Sequence, residues 1–137
     1  MLVGQVKGRP YLIVWKSYSA TVWLPADVDS NSFYIKNQVI KPLEVHGVEL
    51  IKIQYLPERS LLWNYDKIKI QIAGWKDLKI SKTDGNYLCL PAGIKSIEKL
   101  TANTQIKKVI LYNNRSSQKF KDPIWDLGSD GVFKIDI

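Results

Sequence analysis

The chain has 137 residues, 45% of them hydrophobic, and 20 Lys or Arg against 13 Asp or Glu give it a formal net charge of +7. That length predicts a single domain with a sizeable core, and fifteen aromatics, five of them Trp, exclude a disordered linker. One cysteine, Cys89, excludes an internal disulfide and suits a reducing compartment.

In chain order, the opening "MLVGQVKGRP" puts Lys7, Arg9 and Pro10 where a signal peptide needs its apolar stretch. The longest apolar run, "YLIVW" at 11–15, is too short to span a bilayer. The expectation is a soluble cytoplasmic or virion protein with neither signal peptide nor transmembrane segment. Period-two alternation and dense β-branched and aromatic residues predict strands near 2–6, 11–16, 18–24, 33–41 and 48–56. "YLIVWKSYSATVWL" is apolar on both faces at its start, which predicts a central strand.

Two stretches in this half carry ligand-type side chains. "DVDSN" (27–31) resembles the opening of a calcium loop, but Ser32 stands where the turn glycine belongs and Gln38 where the bidentate glutamate belongs. An acidic, Ser-rich surface loop is the reading that follows. In "PLEVHGVEL", Glu44 and His46 would share a strand face, with Glu49 folding back across a turn at His46-Gly47. Such a group suits a metal or a proton transfer, yet no other residues supply ligands at diagnostic spacing. His46 therefore reads as a turn residue, and neither metal nor cofactor is expected.

"LLWNYDKIKIQIAGW" (61–75) reads as one long strand over 60–73. Trp63, Tyr65, Lys67, Lys69 and Gln71 then share a face, with Ile68, Ile70 and Ile72 opposite. Aromatics interleaved with lysines match the recipe for a single-strand nucleic-acid platform, and Trp and Tyr equally anchor protein contacts. "PE" at 57–58 followed by Asp77-Leu78-Lys79 resembles the acid-then-acid-x-lysine pattern of restriction-type endonucleases. That resemblance would imply a metal-dependent nuclease, with two carboxylates on magnesium and a lysine beside the attacking water. The chain departs from that family in having Glu58 where the family has aspartate, and in lacking its long helices.

Further strands are predicted near 77–82, 86–90, 106–112, 124–127 and 132–137. A three-residue loop at Thr83-Asp84-Gly85 would pair Ile80 with Leu88, and one at Ser129-Asp130-Gly131 would pair Leu127 with Phe133 and Trp125 with Ile135. "PAGIKSIEKLTANT" spaces Ile94, Ile97 and Leu100 for the one short helix. The run "QIKKVILYNNRSSQKFK" (105–121) holds Lys107, Lys108, Arg115, Lys119 and Lys121 and no acid. Such a patch attracts phosphates, anionic surfaces or an acidic partner. Seventeen Lys against three Arg lean away from base-specific reading. In "VFKIDI" at the end, Phe133, Ile135 and Ile137 project to one side, which predicts a paired strand with a buried face.

There is no Gly-rich phosphate loop, nucleophile elbow, Cys-x-x-Cys or His-Glu-x-x-His. The sequence thus predicts a mostly β, single-domain antiparallel β-sandwich, jelly-roll-like, with one short helix. A small, partly open barrel of the oligonucleotide-binding kind is the alternative. The expected function is non-enzymatic: a structural or interaction module, an assembly subunit of viral or phage type, self-associating or bound to another protein. The alternatives are a basic domain that binds single-stranded nucleic acid and, more remotely, the nuclease.

Overall fold

The computed structural model describes residues 1–58, 61–72, 86–93, 106–115 and 119–136. The first sheet grows from β1 (Leu2–Val6), β2 (Arg9–Lys16) and β3 (Ser19–Pro25), antiparallel and joined by two-residue turns. Left-handed residues make those turns: Lys7 and Gly8 at φ 51° and 71°, then Ser17 at 55°. Positive φ lets so short a loop follow the right-handed twist of its strands.

The chain returns to this sheet as β4 (Leu50–Leu56), parallel to β3. A parallel pair needs a crossover, and here the crossover is helical. It comprises α1 (Phe33–Ile35), a π-helical turn (Lys36–Ile40) and α2 (Lys41–Val45), which corrects the strand expected over 33–41. The Ser32 hydroxyl caps the start, accepting from the Ile35 N–H at 3.4 Å. Ile35, Val39 and Leu43, four residues apart, are buried against Ile13, Val22 and Leu24 on the outer face of the sheet. Pro42 has no N–H to give, and the wider turn precedes it directly, with the Lys41 N–H donating to the Lys36 carbonyl. The end is a Schellman motif: Gly47, at φ 87°, donates to the Glu44 carbonyl and Val48 to the Leu43 carbonyl.

The second sheet starts with an antiparallel hairpin, β5 (Leu61–Tyr65) and β6 (Ile68–Ile72). Then β7 (Tyr87–Pro91), β8 (Lys108–Tyr112) and β9 (Ile124–Asp126) each lie parallel to the strand before. The final strand, β10 (Phe133–Lys134), joins β1. The orders are β10-β1-β2-β3-β4 and β5-β6-β7-β8-β9. The protein is mostly β and two-sheeted, as expected. Both sheets are mixed rather than antiparallel, which corrects the jelly roll, and among the described residues the strands close no barrel. Runs such as "YLCLP" and "KVILY", buried on both faces, are what parallel strands require.

Between the sheets, Val3, Leu12 and Val14 meet Ile70, Cys89 and Ile110. On the outer face of the second sheet, Leu88, Leu90, Val109 and Leu111 are buried with Ala92, Ile106 and Phe120 packed against them. The C-terminal hairpin is not formed. β9 belongs to one sheet and β10 to the other, so Trp125 and Leu127 do not pair with Ile135 and Phe133. A short helix, α3 (Leu127–Asp130), makes the crossing. Asp126, 3% exposed, drives it: its carboxylate accepts from the Gly128 N–H (2.9 Å), Asn114 Nδ2 (2.6 Å) and Ser129 Oγ (3.2 Å). A buried carboxylate needs such donors, and the start of α3 supplies two of them, from Gly128 and Ser129. Ile135 is buried as expected, but its cover is β1 and the facing sheet, and its N–H donates to the Met1 carbonyl. Ile137, the strand expected over 77–82 with Gly85, and the helix expected from Ile94 lie outside the described residues. Leu88, the residue expected opposite Ile80, sits between Gln71 and Val109. Among the described residues, no helix is long and apolar enough to cross a membrane.

Candidate functional site

The stretch 61–72 folds back on itself, which divides the face expected from it. A two-residue turn at Asp66-Lys67, with Asp66 at φ 53°, sets Tyr65 opposite Ile68 and Trp63 opposite Ile70. Cross-strand partners share a face, so Trp63 and Tyr65 join the isoleucines. Lys69 and Gln71 pair with Asn64 and Leu62 on the other side, and Lys67 sits in the turn. The five residues do not form one platform. Their alternation carries the reason: apolar positions are odd through Tyr65 and even from Ile68, a parity switch that a turn of even length satisfies and an unbroken strand does not.

Trp63 and Tyr65 belong instead to an aromatic group at one lateral side of the sandwich. Their rings stack at 5.8 Å, and Trp23 of β3 meets Trp63 edge-on at 5.5 Å. All three are partly buried against the core between the sheets. A matching group closes the opposite side, where Phe133 of β10 meets Trp125 at 5.3 Å and Tyr87 at 6.2 Å. There Trp125 Nε1 donates to the Gly131 carbonyl, fastening the α3 crossing. Aromatic pairs of this kind add about 1 kcal/mol each beyond the area they bury.

The two sides differ at their edges. On the Phe133 side the edge strands are β9, of three residues, and β10, of two. On the Trp63 side they are β4, of seven, and β5, of five. Among the described residues β4 has a neighbour on one side only. It carries exposed apolar residues, Leu50 at 70% and Tyr55 at 48%, and the adjoining Tyr18 is 68% exposed. The N–H groups of Glu49 and Leu50 both donate to the Tyr18 carbonyl, so this corner is fixed. Outward on β4, Ile51 and Ile53 border a groove of about 390 Å³ against Ile40 and Glu44 of the helical crossover.

The basic patch is also divided. Lys107, Lys108 and Lys121 gather at the start of β8, where the Lys107 N–H donates to the Asn86 carbonyl. Lys108 pairs with Asp122 and lies 5.9 Å above the Phe133 ring, so its charge is already engaged. Arg115 follows the far end of β8, about 17 Å along for a five-residue strand, and Lys119 is exposed in the loop between.

His46 is the exposed C-cap of α2, a turn residue as expected, though on a helix end rather than a strand. Glu44 therefore does not share a strand face with it. Asp29 accepts from the Asn31 N–H at 2.9 Å, and Asp27 pairs with Arg9, so that loop is tied by local bonds. Among the described residues no three His, Cys, Asp or Glu converge as metal ligands. Glu58 is described, while Asp77 and Lys79 of the nuclease-like pattern lie outside the described residues. Cys89 is fully buried, and burial pushes its thiol up to about 12, so it is a packing residue with no thiolate to offer near neutrality.

No family model, no curated protein and no solved structure matches this chain.

Proposed function

We propose that this protein is a non-enzymatic assembly module that pairs with a second copy of itself along β4, joining two first sheets edge to edge. One observation carries the reading: among the described residues β4 is a seven-residue edge strand with exposed apolar side chains, a feature monomeric proteins usually shorten, charge or cover. The strand is also self-complementary. Antiparallel pairing about a two-fold axis at Ile53 sets Ile51 opposite Tyr55, Ile53 opposite itself, and Lys52 opposite Gln54 rather than another lysine. β-branched and aromatic partners meet on the outer face, and no like charges oppose one another. Tyr55 of the second copy would reach the groove beside Ile51. The nucleic-acid reading loses its main support, because Trp63 and Tyr65 lie on the opposite side of the β5–β6 hairpin from Lys69 and Gln71.

Light scattering across a dilution series tests the proposal. The expected result is a mass that rises from monomer to dimer with concentration and stays monomeric for Ile53→Lys. A monomer at all concentrations, or a mass that rises only when a short oligonucleotide is added, would refute it.

A further inference from the structure

The helical crossover covers only part of the first sheet's outer face. Ile35, Val39 and Leu43 press on β2 and β3, and Val6 and Leu2 of β1 join the same cluster, where no residue of β10 is found among the described residues. The step leaves a cleft of about 660 Å³, within the range of small-molecule sites. Its floor and helical wall are apolar, with Leu2, Ile13, Val39 and Leu43 among the lining residues. Four polar side chains also line it: Tyr11, Gln38, His46 and Lys134. Among the described lining residues none is acidic, and Lys134 brings an ammonium 3.9 Å from the highly exposed Asp136 carboxylate.

Tyr11 adds an independent observation. The residue is 5% exposed, and its ring lies over Gly4, where any added Cβ would collide with it. Burial, with a smaller contribution from Tyr34, pushes the pKa of its hydroxyl up to about 12. It is therefore a proton donor at every physiological pH. A phenol hydroxyl lining an apolar cleft is placed to donate to a ligand oxygen.

We infer that this cleft binds a small carboxylate with an apolar body, its chain against Leu2, Ile13 and Leu43 and its carboxylate held by Tyr11 and Lys134. The wall supplies the apolar match and the absence of lining acids favours an anion over a cation. The Tyr11 hydroxyl can accept as well as donate, so Lys134 is what separates the acid from its neutral analogue. This site lies away from the outward edge of β4, and its occupation does not depend on dimer formation.

Calorimetry with three probes of one length (octanoate, octanol and octylammonium) tests the inference on the full chain. Octanoate should bind best, octanol several-fold more weakly and octylammonium weakest. Lys134→Met should weaken octanoate about fivefold, the scale of an exposed charge pair, and leave octanol unchanged. Gln38→Trp, an exposed substitution at the cleft wall that spares the core, should weaken octanoate and octanol together. Equal or tighter binding of octylammonium, equal binding of octanol and octanoate, unchanged binding in Gln38→Trp, or no heat from octanoate would each overturn it.

Discussion

The two lateral sides of the sandwich are built from similar aromatic groups and finished in opposite ways. On one side Phe133, Trp125 and Tyr87 pack beneath a crossing that stitches β9 to β10, and the edge strands there are too short to recruit another chain. On the other, Trp23, Trp63 and Tyr65 pack between the sheets, and β4 keeps a full-length edge. The aromatic groups account for cohesion on both sides. The edges account for the difference, and they mark the first side as internal closure and the second as the place for a partner.

Breaking the closed side should have the largest effect. Truncation after Val132 removes Phe133 and Ile135 from the core and strips β1 of one of its two neighbours. The expected outcome is loss of the cooperative melting transition by circular dichroism. Ile135→Ala alone, at a site 3% exposed, should cost about 2–5 kcal/mol in urea denaturation. A truncated chain that keeps its melting temperature would show that the stitch contributes nothing.

Asp126→Asn is expected to come next. It retains the shape but removes the charge that three donors converge on, at a site where charge-assisted bonds are worth about 1.5–3 kcal/mol each. Partial compensation by the amide oxygen should leave a loss of about 1–3 kcal/mol. The same change at Asp29, in an exposed loop, should fall within about 0.5 kcal/mol. Equal losses at the two positions would contradict the role given to the crossing.

An effect of similar size is expected at Gly4, where an added methyl would strike the Tyr11 ring. Gly4→Ala should destabilise by about 1–3 kcal/mol through overpacking. It should also disturb the cleft that Tyr11 lines, without changing the oligomeric state.

Alkaline pH should weaken the fold by a route shared between the sheets. Burial raises Cys89 and Tyr11 to about 12 and raises Tyr112 as well. These groups are neutral when protonated, so the folded state holds its protons at pH values where the unfolded chain releases them. Their contribution is complete below the unfolded values, about 9 for the thiol and 10 for the phenols, and is lost as pH rises towards 12. Chemical denaturation at pH 8, 10 and 11 should show falling stability, with a shallower fall for Cys89→Val. A profile flat to pH 11 would contradict the burial of these groups.

How far the sequence carried can be argued from particular elements. β1, β2, β3, β7 and β8 were legible because alternation or continuous apolar runs over five or more residues define a buried strand. The helical crossover was not, since β-branched Ile35, Val39 and Ile40 and an internal Pro42 all speak for strand or break. Its signal was the four-residue spacing of Ile35, Val39 and Leu43 after a capping Ser32, and tertiary cover for β2 and β3 decided the matter. The turn at Asp66-Lys67 was visible only as a change of parity, and missing it joined residues that the fold separates. Asp126 shows a third limit: local hairpin chemistry favoured a three-residue loop, and a network reaching back to Asn114 overrode it. The open β4 edge was not legible at all, because which strand stands last in a sheet depends on every other pairing.

The most direct test of the self-pairing edge uses opposite charges at its two-fold axis. Ile53→Lys and Ile53→Glu chains should each be folded monomers, since like charges would meet across the axis, and mixing them should restore a one-to-one dimer by native mass spectrometry or sedimentation. Both variants dimerising alone, or two folded monomers that fail to combine when mixed, would contradict the account.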